Sequence, residues 1–252
     1  MKKIVAFTFL LITISINSIA QTFIDKAEIE YEVKTNVKKT MGNNSFAEML
    51  KDQIPTFRTG YYHYTFADNK SIYKWHHWDE KEKMPEWFRK SEEDNSWFFD
   101  FNTGNFIMSK NIAGTPFNIQ DSIKKIEWKL SNENRMIAGF NCRKAVGVIM
   151  DSVYVFAFFS EEIMIPGGPC TVQGLPGMIL GLTIPRMYTS WIATKVSVNG
   201  INTASIKPVS SKKFYTYTTI KSTLDERSKE WYSSDDPEDN QWKNQFIWGA
   251  LL

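Results

Sequence analysis

The sequence is short of the groups on which much enzyme chemistry rests. Among 252 residues it has two cysteines, Cys142 and Cys170, and three histidines, His63, His76 and His77. No C-x-x-C pair is present, which argues against a thiol–disulfide oxidoreductase. No G-x-S-x-G string accompanies the few histidines, so a serine hydrolase has no recognisable nucleophile. An excess of charge is missing too. The formal net charge is +2, and both surplus lysines, Lys2 and Lys3, stand at the N-terminus; beyond residue 20 the remaining 28 basic residues match 28 acidic ones. Displacing phosphate counterions takes a basic surplus, so no nucleic-acid partner is expected. Beyond the N-terminal segment no stretch approaches the roughly 20 apolar residues of a membrane-spanning helix. No transmembrane segment is expected in residues 21–252.

What stands at the N-terminus is a pattern of its own. Lys2 and Lys3 precede a largely apolar run from Ile4 to Ile14, and the small residues Ser18 and Ala20 follow, the order of a secretory signal. Residues 1–20 are read as that signal, with cleavage near Ala20-Gln21. Gln21 occupies the place where a lipoprotein would carry its acylated cysteine, so release into the periplasm or medium is expected. In that oxidising setting Cys142 and Cys170, 28 residues apart, have two readings. A disulfide would stabilise the fold by about 3–4 kcal/mol if the geometry permits; the alternative is two buried free thiols.

No linker or fixed-period repeat divides residues 21–252, which fits a single domain. Ala27 to Val37 alternates, Ile29, Tyr31 and Val33 against Glu28, Glu30 and Glu32, as a half-buried strand does. A short helix is expected from Ser45 towards Pro55. Arg58 to Trp78 reads as a hairpin turning at Asp68-Asn69, with Tyr64 opposite Tyr73 and Tyr62 opposite Trp75 on one face and His63 opposite Lys74 on the other. Met84 to Asn95 suits a short helix or a loop. Trp97–Phe99 and Asn105–Met108 flank a second turn, and Ile126 to Leu130 begins another strand. Arg135 to Ile149 and Val153 to Phe159 read as central strands around Met150-Asp151-Ser152. Strands over Met178–Ile184, Thr189–Val198 and Lys207–Thr219 follow, then a helix over Thr223–Tyr232; Phe246 to Leu252 suits an edge strand or helix. The fold class predicted is mainly β, a β-rich α+β arrangement with a curved antiparallel sheet and a few short helices.

Candidate chemistry is sparse. His76-His77-Trp78-Asp79-Glu80 holds metal-ligand types, but neighbours on a strand point to opposite faces and the H-E-x-x-H spacing is absent. No metal and no cofactor is expected. Aromatic residues make up 15% of the chain, and the Tyr62, Tyr64, Tyr73, Trp75 ladder gathers them on one surface. These four are the ligand-binding candidates, because flat rings stack on sugars or line apolar pockets; ordinary core packing is the competing account. Asp225 to Asp239 carries seven acids and two bases without EF-hand spacing, as a solvated surface does.

One segment carries a resemblance. In Gly174-Leu175-Pro176-Gly177-Met178-Ile179, proline presets φ and glycine permits a positive φ, so Leu175 to Met178 reads as a type II turn leading into a strand. This string resembles the GLPGLI family of secreted Bacteroidota proteins, with Met178 as a conservative departure from the family string. The resemblance extends through Ile137–Ala145 and Val153–Phe159 to Trp191 and Lys195, covering about residues 22 to 200. Cys142 matches the family pattern and Cys170 is less typical, which weighs against the disulfide. The resemblance implies an envelope location and a half-barrel or bowl, similar to lipoprotein carriers and to the bowl-like N-terminal domain of some secreted glycoamidases. It brings no reaction and no catalytic residues. Three functions are consistent with these observations: a non-catalytic envelope protein binding a glycan, peptide or lipid; an accessory protein of an outer-membrane uptake system; and a hydrolase whose site is assembled from distant residues. The partner is accordingly an envelope ligand or an outer-membrane protein.

Overall fold

The computed structural model describes residues 24–41, 45–50, 52–82, 84–229 and 237–252. The predicted signal, residues 1–20, and the polar run 233–236 lie outside the described residues. In β1 (Ala27–Asn36) the predicted alternation holds: Ala27, Ile29, Tyr31 and Val33 are buried while the intervening glutamates face away. Two short helices follow, α1 (Val37–Met41) and α2 (Ser45–Leu50), of which the sequence announced only the second. β2 (Phe57–Ala67) and β3 (Lys70–Trp78) form the aromatic hairpin. Asp68 and Asn69 take φ values of 52° and 55°, the pair of left-handed residues that a type I′ turn needs. Tyr64 pairs with Tyr73, Tyr62 with Trp75 and His63 with Lys74, as the turn position predicted.

After α3 (Glu86–Glu93) come β4 (Ser96–Asp100), β5 (Asn105–Ile112), β6 (Thr115–Ser122), β7 (Lys129–Ile137), β8 (Phe140–Ile149), β9 (Val153–Ser160), β10 (Met178–Ile184) and β11 (Thr189–Ser197); α4 (Tyr217–Ser228) and α5 (Pro237–Leu251) close the chain. Some sequence expectations are corrected. β6 went unrecognised, and Arg135–Ile149 is not one strand but the end of β7, a turn and β8. Both turns involved are Ala-Gly pairs, Ala113-Gly114 (φ 49° and 81°) and Ala138-Gly139 (φ 49° and 86°), in which alanine supplies none of the Asn or Asp signal that marks this turn. Lys207–Thr219 is not a strand. Only Tyr215 pairs there, bonding to Asn118 and Gln120 on either side of Ile119, and Pro208 has no N–H to extend the ladder. α4 starts at Tyr217, where the Thr216 hydroxyl accepts from Thr219 N, six residues before the predicted start.

All eleven strands belong to one antiparallel sheet, ordered β6-β5-β4-β3-β2-β1-β11-β10-β9-β8-β7. The chain therefore makes two meanders that meet where β1 pairs with β11. The edge strands β6 and β7 are consecutive in sequence, joined by residues 123–128. Laid flat, eleven strands would span about 48 Å. The short connection from Ser122 to Lys129 reaches about 25 Å at most. The sheet has to curl until its two edges approach, and it stays open, as a half-barrel. Its concave side is filled by apolar side chains of the strands, by the loop between β9 and β10, which contributes Ile163, Ile165, Val172 and Leu175, and by Ile220, Leu224, Ile247 and Leu251 of α4 and α5. No helix among the described residues is long and apolar enough to cross a membrane.

Candidate functional site

Helix α5 lies across the mouth of the bowl and leaves a cavity on each side. Trp242, Phe246, Gly249 and Ala250 face one, of about 760 Å³; Asn244, Ile247, Trp248 and Leu251 face the other, of about 700 Å³. The cavities explain why this helix is apolar around much of its circumference. In the smaller one Lys221 binds Asp225 at 2.8 Å and the Lys124 ammonium lies 3.5 Å from the centre of the Tyr217 ring.

The floor of the larger cavity is built by the inward positions of the hairpin. Tyr62 stacks on Tyr73 with centroids 5.2 Å apart, and Tyr73 leans on Trp97 at 5.3 Å. Trp78 and Trp191 complete the aromatic wall. Of the four predicted ligand residues, Tyr62 and Tyr73 line this space. Tyr64 does not: it is buried beneath the β9–β10 loop, where Gly167 lies so near that an added Cβ would fall 2.0 Å from its hydroxyl. Trp75 packs beside Trp78, 5.8 Å between ring centres, outside the cavity lining.

Polar groups are set into these walls. The Arg58 guanidinium binds Glu92 at 2.6 Å, lies over the Trp78 ring, and shares Glu92 with the Tyr62 hydroxyl, which donates at 3.0 Å. Burial, with the Glu92 charge beside it, holds the Tyr62 phenol protonated far above its usual range. Lys110 reaches in from β5, donates to the Gly249 carbonyl and lies 5.3 Å from the centre of the Trp97 ring; burial pulls its pKa down. The Tyr73 hydroxyl is buried with the Trp191 indole as neighbour but no hydrogen bond of good geometry, and the Asn111 carbonyl oxygen is likewise unpartnered. Sequence reasoning missed Arg58, Glu92, Lys110 and Asn111. A signal existed for two of them: Arg58 shares the strand parity of Tyr62 and Tyr64, and Lys110 that of Phe106, Met108 and Ile112, so both fall on inward faces.

Cys170 also lines this cavity, whereas Cys142 sits on β8; both are free buried thiols, and the bridge considered above is not formed. Burial raises the Cys170 pKa to about 12 against the pull of the Lys110 ammonium, and that of Cys142 to about 11. Neither is a thiolate nucleophile at neutral pH.

The Gly174–Ile179 string is a staple. It is not the predicted type II turn: Gly177 N donates to the Leu175 carbonyl, a γ-turn around Pro176, and Met178 N donates instead to Ile163. Gly177 has φ 149° and lies so close to β9 that a Cβ would come 2.1 Å from the Ser160 carbonyl oxygen. The Tyr31 hydroxyl donates to the Ile179 carbonyl at 2.5 Å. Just upstream, Trp128 Nε1 donates to the Gln173 carbonyl and Gln173 Nε2 to the Lys124 carbonyl. These bonds tie the inner loop to β1 and to the connection that draws the sheet edges together.

The histidines lie on the opposite, outer face of the hairpin. A bulge pairs Tyr61 with His77 and Tyr62 with Trp75, leaving His76 as the extra residue, so His76 and His77 share a side, contrary to the alternation expected. Their Nδ1 atoms are 2.7 Å apart; His76 stacks on His63 and His77 on Tyr61. Among the described residues, no three His, Cys, Asp or Glu side chains gather as metal ligands.

No family model matches the chain, and no curated protein does either. Among solved structures it is similar to PNGF-II in two crystal forms, P21 and C2, at 14% identity, with TM-scores of 0.48 and 0.49 over 76% and 89% of this chain. The chain spans about a third of the PNGF-II chains, 31% and 33%. It is also similar to an uncharacterized conserved protein from Thermus thermophilus at 5% identity and a TM-score of 0.39, covering 77% of this chain and 91% of that one. Likenesses this distant carry no information about activity.

Proposed function

We propose that this chain is a non-catalytic binding protein of the cell envelope, which holds a small molecule in the larger cavity beside α5. The observation that carries the reading is the cavity itself: about 760 Å³, within the range of small-molecule sites, walled by aromatic rings and set with a few polar side chains, Arg58, Glu92 and Lys110 among them. The protonated Cys170 and the position of all three histidines on the outer face of the hairpin leave this space without an evident nucleophile–base pair. The lysine-led, apolar N-terminal segment and the resemblance of Gly174–Ile179 to GLPGLI proteins support an envelope setting.

Native mass spectrometry of the protein purified gently from its own envelope tests this. The expected result is a species heavier than the bare chain by one small molecule, which is lost under denaturing conditions. A bare chain throughout, from material never exposed to detergent, would overturn the proposal.

A further inference from the structure

The two cations that line the larger cavity are not alike. Arg58 is matched by Glu92, the one acidic side chain lining this space among the described residues. Among the described residues Lys110 has no carboxylate within 4.0 Å; of its three ammonium donors one is taken by the Gly249 carbonyl, the Trp97 ring lies beside it, and the Glu92 charge and the Cys170 thiol act on it from farther off. A primary ammonium held among tryptophans loses hydration that one carbonyl and one ring face replace only in part.

The geometry points to a small organic anion as the ligand, its carboxylate or phosphate-like group seated on the Lys110 ammonium and its apolar or aromatic body lying against Trp97, Trp191 and Phe246; this rests on the binding reading above. An anion there supplies the missing acceptors in a site where a charge-assisted hydrogen bond is strong. Burial lowers the pKa of Lys110, and an anion would restore it, as a counter-charge does.

Two fluorescent probes with the same aromatic body separate this inference from the reading beneath it: 1-anilinonaphthalene-8-sulfonate carries an anionic group, and N-phenyl-1-naphthylamine is its neutral counterpart. In the full mature chain both should bind. Lys110→Met should weaken the sulfonate by about tenfold or more, the worth of one charge-assisted contact, and leave the neutral probe within about twofold, which also reports that the cavity is intact. Lys110→Arg should keep most of the sulfonate affinity. If Lys110→Met weakens both probes alike or neither, the anion inference fails while the binding reading stands. A sulfonate loss in Lys124→Gln, with none in Lys110→Met, would assign the anion to the other cavity and overturn the inference. Should neither probe bind the wild-type chain at all, the binding reading itself is contradicted.

Discussion

The aromatic hairpin has two faces built from alternate residues of the same two strands, and they follow opposite rules. On the inner face Tyr62, Tyr64 and Tyr73 are buried, stacked or wedged against their neighbours, and polar atoms there are either tightly paired or left without a partner. On the outer face His63 stacks on His76 and lies 3.7 and 3.5 Å from Glu28 and Glu30, its ring partly exposed although Nε2 is buried without a hydrogen bond of good geometry. The carboxylates beside it keep part of their hydration. Inside, the aromatic walls enclose a space large enough for a small ligand, which is why the cavity and not the histidine cluster is the candidate site.

The widest gap between the faces should come from truncation. Tyr73→Ala is expected to cost about 3–5 kcal/mol in urea unfolding, because it leaves a hole between Tyr62, Tyr31 and Trp97. A loss below about 1 kcal/mol would mean that the inner face is not close-packed. Crowding should cost less. Gly167→Ala pushes a methyl group into the Tyr64 hydroxyl and should destabilise by about 2 kcal/mol. Tyr64→Phe removes an oxygen that has no hydrogen bond of good geometry, so combining the two should recover part of that loss; strict additivity of the two changes would show that the ring oxygen is not the obstacle.

Arg58→Met leaves the Glu92 charge without its guanidinium. About 1–2 kcal/mol is expected, less than for a fully enclosed pair because Glu92 keeps 31% of its side chain exposed. The outer face should give the smallest effect, and one that depends on pH. Burial and the stacked His76 ring lower the folded pKa of His63 below its ordinary value of 6.5. The folded state prefers the neutral ring. The stability tied to this group is therefore intact above about pH 6.5 and is lost as the pH falls through the unfolded-chain value towards the folded one. His63→Gln should change stability by less than about 0.5 kcal/mol at pH 8 and flatten the loss that sets in as the pH falls below about 6.5. An unchanged slope would place the acid sensitivity elsewhere.

Much of this architecture is legible in the sequence. Alternation identifies β1, and the position of Asp68-Asn69 sets the pairing of four aromatic residues. Where reading failed, the cause was local. Alanine supplied one left-handed residue in each of two turns, hiding a strand and splitting another. A single extra residue at His76 reversed the facing of His77, since strand parity counts one position at a time. The site was half legible: Tyr62 and Tyr73 were found by their rings, while Arg58 and Lys110 were passed over although the same parity places them inside. Glu92, Asn111, Trp242 and Phe246 reach the cavity through tertiary packing of α3, a strand end and α5, which no linear spacing encodes.

The most direct test of the central claim uses Gly249, which faces the larger cavity and has open space where a Cβ would stand. Gly249→Leu adds a side chain whose first carbon meets open space, and replacing a helical glycine should stabilise α5 by about 1 kcal/mol. Measured together, the thermal midpoint should rise and N-phenyl-1-naphthylamine binding should be lost. A variant that is at least as stable as wild type and binds the probe with undiminished affinity would contradict the assignment of this cavity as the binding site.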